Sequence, residues 1–164
     1  MFYAKSIEAS KIPFDMLYGP AYKGIPLVSS IVIAFASLGR NVPFAFNRKE
    51  KKDHGEGGVI IGTPLKGRVL IVDDVISAGT SVNESVNLIL EEGAKPSGIS
   101  ISIDREEKGT GLLSAVEEIK ETHHLPVCHL TSLQEIMRYI EHHETYASYI
   151  SAMRDYQKVY GIKA

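Results

Sequence analysis

Only one cysteine, Cys128, stands in the 164 residues, so the chain cannot build an internal disulfide framework. It lies in the apolar run 126–130, which suits a buried thiol better than a nucleophile. Neither sign of charge is in excess: 18 basic residues oppose 20 acidic ones, a net charge of −2. Nucleic-acid and anionic-membrane surfaces need a clear basic surplus, so neither partner is expected. The longest apolar run, around residues 31–36, falls far short of a membrane span. Met1-Phe2 leads into no basic n-region or cleavable signal, so a reducing, cytoplasmic setting is expected. No repeat, linker or low-complexity tract occurs, and the length suits one domain over residues 1–164.

What is present is an alternation of short β-rich runs with longer helical patterns, the pattern of βαβ units around a mostly parallel sheet flanked by helices. Helices are expected over 2–11, 25–38, 112–122, 133–143 and 144–160, and strands over 14–18, 43–46, 59–61, 68–72 and 127–130. Residues 25–38 are apolar almost all round, which predicts a well-buried helix capped by Gly39. Residues 48–58 are charged, glycine-rich and without periodicity, so a functional lid or a disordered loop is expected there. Ser81-Val82-Asn83-Glu84 fits a capping box, followed by an apolar stripe of Val82, Val86, Ile89 and Leu90 that Gly93 ends. Ile99, Ile101 and Ile103 alternate with serines in a strand that closes at Asp104-Arg105. Tyr149, Ile150, Met153 and Tyr156 read as packing residues of the last helix. The pairs His123-His124 and His142-His143 lack a metal-site spacing and read as surface.

Ligands of open parallel sheets bind beyond the carboxyl ends of the strands. That rule gathers Asp73, Asp74, the loop 75–81, Asp104 and Arg105 at one edge. Ile76-Ser77-Ala78-Gly79-Thr80-Ser81 is small and permissive, so consecutive N–H groups can converge on an anion at the start of the next helix. The lysine of the P-loop and the pattern of the dinucleotide fingerprint are both missing. Two carboxylates beside a phosphate cradle would repel the phosphate unless each had another task. Hydrogen bonds to vicinal ribose hydroxyls, with or without a divalent cation, supply one. A bare Asp-Asp pair would be read as solvating a strand end.

The complete run Val69-Leu70-Ile71-Val72-Asp73-Asp74-Val75-Ile76-Ser77-Ala78-Gly79-Thr80 resembles the 5-phosphoribosyl 1-diphosphate (PRPP) motif of type I phosphoribosyltransferases. Residues 46–58 (Phe46-Asn47-Arg48-Lys49-Glu50-Lys51-Lys52-Asp53-His54-Gly55-Glu56-Gly57-Gly58) are similar to the mobile catalytic loop of orotate phosphoribosyltransferases. Tyr18-Gly19-Pro20-Ala21-Tyr22-Lys23-Gly24-Ile25-Pro26 resembles their diphosphate-side loop, and Asp104-Arg105 their base-side arginine. The resemblance spans essentially the whole chain. It implies transfer of a phosphoribosyl group from PRPP to orotate, giving orotidine 5′-monophosphate and diphosphate in pyrimidine (UMP) biosynthesis. Mg²⁺ is implied as cofactor, carried mainly on PRPP with no direct protein ligand assigned. By matched position, PRPP would meet Tyr22, Lys23, Arg48, Lys49, Lys52, His54, Asp73, Asp74, Val75, Ile76, Ser77, Ala78, Gly79, Thr80 and Ser81. Of these, Lys52, His54, Asp73 and Asp74 would be catalytic. Arg105 and Ser77 would meet orotate; Ser77 stands where the family more often has threonine, and keeps the hydroxyl. The loop 47–58, which carries four bases and two acids between Arg48 and Asp53, would close over a neighbouring subunit's site, implying a homodimer.

The family has a segment before the helix that begins here at Phe2, with a lysine and aromatic residues that clasp orotate. A chain beginning at Met1 is therefore expected to bind PRPP with Mg²⁺ but to hold orotate weakly. Three readings stay open at this stage: an orotate phosphoribosyltransferase, a PRPP-binding remnant or regulator without efficient catalysis, and a transferase for another base. The lid-like loop favours the first over the second, since binding alone needs no closure on a leaving group.

Overall fold

A computed structural model describes residues 1–52 and 58–162. Six strands form one sheet in the order β3-β2-β1-β4-β5-β6. They are β1 (Met16–Gly19), β2 (Phe44–Lys52), β3 (Gly58–Gly62), β4 (Arg68–Val72), β5 (Lys95–Asp104) and β6 (Val127–Ser132). All neighbours pair in parallel except β2 and β3, which form an antiparallel ribbon at one edge. The helices are α1 (Phe2–Ser10), α2 (Gly24–Ser37), α3 (Thr80–Glu91), α4 (Ala115–His123), α5 (Leu133–Glu141) and α6 (Ile150–Tyr160), with a 3-10 turn over Glu144–Tyr149. The expected α/β architecture is the one observed.

The run Val69–Val72 at the centre of the sheet is wholly buried, and its alternation divides the core in two. Val69 and Ile71 face Val82, Val86, Ile89, Val116 and Ile119 on α3 and α4. Leu70 and Val72 face Tyr3, Ile7, Val28, Ile31 and Phe35 on α1 and α2. Side chains of successive strand residues point to opposite faces, so an unbroken apolar run is what a strand covered on both sides requires. Burying each such side chain contributes about 1.5–3 kcal/mol, and the two layers together fix where β4 ends and its carboxylates begin.

Several local expectations are corrected. Helix α2 buries Gly24, Val28, Ile31, Ala34 and Phe35, but Ile33 is 67% exposed and Leu38 43%. Only one side of it meets the sheet, and nothing among the described residues covers the other. Residues 48–52 are strand rather than loop. Beyond Phe46 the pairing of β2 with β1 stops and only β3 remains, with Asn47 opposite Ile60 and Lys52 opposite Gly58. A two-stranded ribbon outside the layers buries little, so it carries no apolar period from which to read it. The lid residues 53–57, His54 among them, lie outside the described residues, as does the side chain of Lys52.

The capping box at Ser81–Glu84 does not form: α3 starts two residues earlier than that box requires, its cap is Gly79 in the left-handed region (φ 72°), and no side chain caps it. The box occurs instead at Ser132 and Glu135, opening α5. Leu90 is exposed, leaving Val82, Val86 and Ile89 as the buried stripe. The final helix is a 3-10 turn followed by α6, in which no residue is buried; Tyr149 is exposed and Tyr156 half-buried. Cys128 is half-buried against the α1–α2 layer. No helix of the described residues is long and apolar enough to cross a membrane.

Candidate active site

The carboxyl ends of β1 and β4 face one cleft of about 350 Å³, lined by residues 21–23 and 73–82. Two loops build it. The first, between β1 and α2, turns tightly: the Gly24 N–H donates to the Pro20 carbonyl at 2.9 Å. A Cβ on Gly19 would sit 2.2 Å from the Gly24 carbonyl oxygen, so glycine is required for strand and helix to approach this closely. The Ala21–Tyr22 peptide is cis. The Asn47 side-chain oxygen holds the loop from β2, accepting from the Ala21 N–H at 2.7 Å.

The second loop joins β4 to α3. Its Gly79 cap leaves the N–H groups of Thr80, Ser81 and Val82 without intrahelical acceptors, and all three residues line the cleft. These donors and the positive end of the helix make a site for an anion. Ser81 lies inside the first turn, where its hydroxyl donates to Asp73 Oδ2 at 3.1 Å. That contact replaces the capping role expected of it.

The two carboxylates are held differently. Asp73 is buried, and the Tyr3 hydroxyl donates to its carbonyl at 2.7 Å. Desolvation pushes the Asp73 carboxyl above the ordinary range; the Asp74 N–H and the Ser81 hydroxyl offset only part of this. Asp74 is half-exposed. Desolvation opposes its charge too, but the Lys23 ammonium at 2.6 Å and the Val75 N–H hold it below the ordinary range. Ser102 on β5 fixes the Asp74 carbonyl with its hydroxyl at 2.6 Å and its N–H at 2.9 Å. The cleft therefore has one carboxyl kept charged by a lysine and a neighbour with a stronger hold on its proton.

Among the expected site residues, Tyr22, Lys23, Asp73, Asp74 and residues 75–81 meet in this cleft. Arg48 and Lys49 do not. They border an adjoining cavity of about 490 Å³ between the β2–β3 ribbon and α3, which shares Ala21 and Ser81 with the first. The Lys49 ammonium lies 5.1 Å from the Tyr22 ring centre, within cation–π range. Arg105, at the end of β5, reaches the cleft through Ser77, whose hydroxyl accepts from Nη2 at 2.6 Å. Tyr3, Asn47 and Ser102 were missed by sequence reasoning. Asn47 lay within a motif already recognised, and Ser102 follows from β5 running beside the carboxyl end of β4. Nothing in the sequence marks Tyr3.

A phosphoribosyl transferase domain model matches residues 1–121. Orotate phosphoribosyltransferase of Chromobacterium violaceum is 56% identical over 161 residues, 98% of this chain and 75% of that protein. The same enzyme of Thiobacillus denitrificans is 55% identical, covering 98% and 76%. The chain belongs to the orotate phosphoribosyltransferase family. A crystal structure of the Francisella tularensis orotate phosphoribosyltransferase superposes with a TM-score of 0.83 at 37% identity, over 98% of this chain and 77% of that one. As a member of that family the chain is a pentosyltransferase, and the type I phosphoribosyltransferase fold expected from its motifs is the fold it has.

Proposed function

We propose that the cleft between the β1–α2 and β4–α3 loops transfers a phosphoribosyl group from PRPP to orotate, releasing diphosphate and forming orotidine 5′-monophosphate, a step of pyrimidine synthesis. One observation carries the reading: an uncapped helix start, two carboxylates and a lysine lie around a single cleft of about 350 Å³. The N–H groups of residues 78–81 would take the 5′-phosphate. Asp73 and Asp74 would accept hydrogen bonds from the ribose hydroxyls. Lys23, with Tyr22 beside it, would face the diphosphate, and Arg105 the orotate carboxylate, for which a planar guanidinium is suited.

The reaction breaks the bond from the anomeric carbon to the diphosphate and forms one to a ring nitrogen of orotate, whose proton passes to the diphosphate or to solvent. Positive charge develops on the ribose and negative charge on the leaving group, so fixed charges on each side lower the barrier. Asp73 and Asp74 beside the ribose and Lys23 beside the diphosphate would act in that sense. Mg²⁺ supplies further charge neutralisation when bound. Among the described residues no cluster of three carboxylate, histidine or cysteine groups could hold a metal. The donor set fits an ion carried mainly on substrate oxygens, near which Asp73 and Asp74 would supply negative charge.

Arg48, Lys49, Lys52 and His54 would close over the diphosphate from the β2–β3 ribbon of a partner subunit. That Arg48 and Lys49 border the adjoining cavity, and not their own chain's cleft, supports a shared site in a homodimer. Two tests apply. Purified chain given PRPP, Mg²⁺ and orotate should consume orotate and release diphosphate, and Asp73→Asn/Asp74→Asn should not. If a folded sample is inactive on orotate, the reading fails. Mixing inactive Asp73→Asn/Asp74→Asn with inactive Lys52→Ala should restore activity by reassortment; no recovery after subunit exchange would rule out the shared site.

A further inference from the structure

Arg105 directly follows β5 at the rim of the cleft, and its head is held from two sides. Nη2 donates to Ser77 Oγ at 2.6 Å and to Glu107 Oε2 at 2.8 Å. Its Nε is buried and finds no acceptor among the described residues, so the orientation of the planar head rests on these two contacts. Ser77 lies on an exposed loop and is a weak anchor by itself. Glu107 is a firmer one, its side chain only 16% exposed.

Glu107 is fixed in turn from the far end of the chain. Its Oε1 accepts a short hydrogen bond from the Tyr156 hydroxyl on α6, 49 residues on. The carboxylate pushes the Tyr156 hydroxyl above its ordinary range, so it remains a donor at neutral pH. The backbone is tied in the same place. Glu107 forms an isolated antiparallel bridge with Gly161, and the Lys108 N–H donates to the Tyr160 carbonyl at 2.7 Å. Between Arg105 and Glu107, Glu106 takes a left-handed conformation (φ 53°) with its N–H bonded to Asp104 Oδ1 at 2.9 Å. That turn brings the Glu107 side chain back beside Arg105. Helix α6 itself buries no residue, so it adds little to the core, and its ties to the sheet converge on this turn.

We infer that Glu107 and Tyr156 are positioning residues for the base-side arginine, and that α6 serves orotate specificity by holding Arg105 through them. The inference rests on the assignment of Arg105 to the orotate carboxylate. A bidentate pair between guanidinium and carboxylate depends on the plane of the head, which one lost restraint would let rotate. A ribose phosphate bound at residues 73–81 makes no use of that plane.

The test is steady-state kinetics on the full chain with both substrates varied. Tyr156→Phe deletes one hydroxyl and keeps the ring; Glu107→Gln keeps the shape and removes the charge. Each should raise the orotate KM about tenfold, the loss expected for one hydrogen bond to a charged group. The PRPP KM should hold, and the melting temperature should fall by no more than a few degrees. In the Glu107→Gln background, Tyr156→Phe should add little, because both act along one chain of contacts. An unchanged orotate KM in either variant overturns the inference, as does a rise shared equally by both substrates, which marks a merely structural role. Arg105→Gln run alongside separates the two levels. If it raises the orotate KM while the other two do not, the positioning role falls and the base-side assignment stands; if Arg105→Gln has no effect, both fall.

Discussion

Lys23 Nζ lies 2.6 Å from Asp74 Oδ2, joining two loops whose residues are 51 positions apart. The lysine is largely exposed, so the contact is screened and adds little to stability. Its consequence is electrostatic. It keeps the Asp74 carboxylate charged and sets a cation across the cleft, where a diphosphate can displace the carboxylate as its partner. Lys23→Met should therefore leave the melting temperature unchanged but raise the PRPP KM by about tenfold or more, as for a lost charge-assisted hydrogen bond. Lys23→Arg should recover part of the loss. Kinetics with PRPP varied at saturating orotate would show it, and an unaltered KM would remove Lys23 from the diphosphate side.

Asp73 should set an acid limb of binding. Burial raises its pKa in the folded chain, so its contribution to stability is complete below the unfolded value and is lost as pH rises through the raised folded value. Asp73→Asn is thus expected to be more stable than the parent at neutral pH, the gap closing as pH falls below the ordinary aspartate range. The same substitution should abolish PRPP binding. Urea midpoints at pH 7 and pH 4, with PRPP titrations on the same samples, check both parts. A variant less stable than the parent at pH 7 would contradict the sign.

Gly19 should not tolerate a side chain. Its Cβ would meet backbone at 2.2 Å, which cannot rotate away as a side chain can. Gly19→Ala is expected to cost about 1–3 kcal/mol, as overpacking does, and to shift Tyr22 and Lys23, raising the PRPP KM. Gly93, also in the left-handed region but with open space around its Cβ position, gives a contrast: Gly93→Ala should lower stability slightly and leave binding intact. Denaturant melts and PRPP kinetics on the pair separate crowding from conformational strain.

Two serines at helix starts should respond in opposite ways. Ser132 caps α5, accepting from the Glu135 N–H at 3.2 Å while Glu135 returns a contact to the Ser132 N–H at 2.8 Å. Ser132→Ala should cost roughly 0.5–2 kcal/mol of stability with no kinetic effect. Ser81 caps nothing and holds Asp73 in the cleft. Ser81→Ala should cost less stability and raise the PRPP KM. Matched melts and kinetics would expose any reversal.

How far the site was legible in sequence follows from the separation of its parts. Residues 69–81 are one strand, one loop and one helix start, so covalent continuity alone keeps their carboxylates beside their N–H groups. Pattern within that window was enough to find them. The capping box is ambiguous within the same window because Ser81-x-x-Glu84 and Ser132-x-x-Glu135 are alike as sequence. They differ in surroundings: Ser81 has a buried carboxylate within reach and Ser132 does not. The ribbon over 48–52 looks like a loop in sequence because strands reveal themselves by the face they bury, and this one extends beyond the pairing with β1.

By itself, then, the sequence determined the α/β class, the central strand and the phosphate-facing loop, since each is encoded by local periodicity and local turn chemistry. Tertiary structure decided which distant groups meet them: Tyr3 on the Asp73 carbonyl, Lys23 on Asp74, Asn47 on Ala21, and Tyr156 behind Glu107 and Arg105. It also decided which side of α2 is covered. The hydrophobic effect is non-directional, so an apolar pattern says that a face must be buried without saying against what. Hydrogen bonds and ion pairs are directional, and their partners are fixed only once the layers have packed and brought chain segments 26 to 70 residues apart within 3 Å of one another.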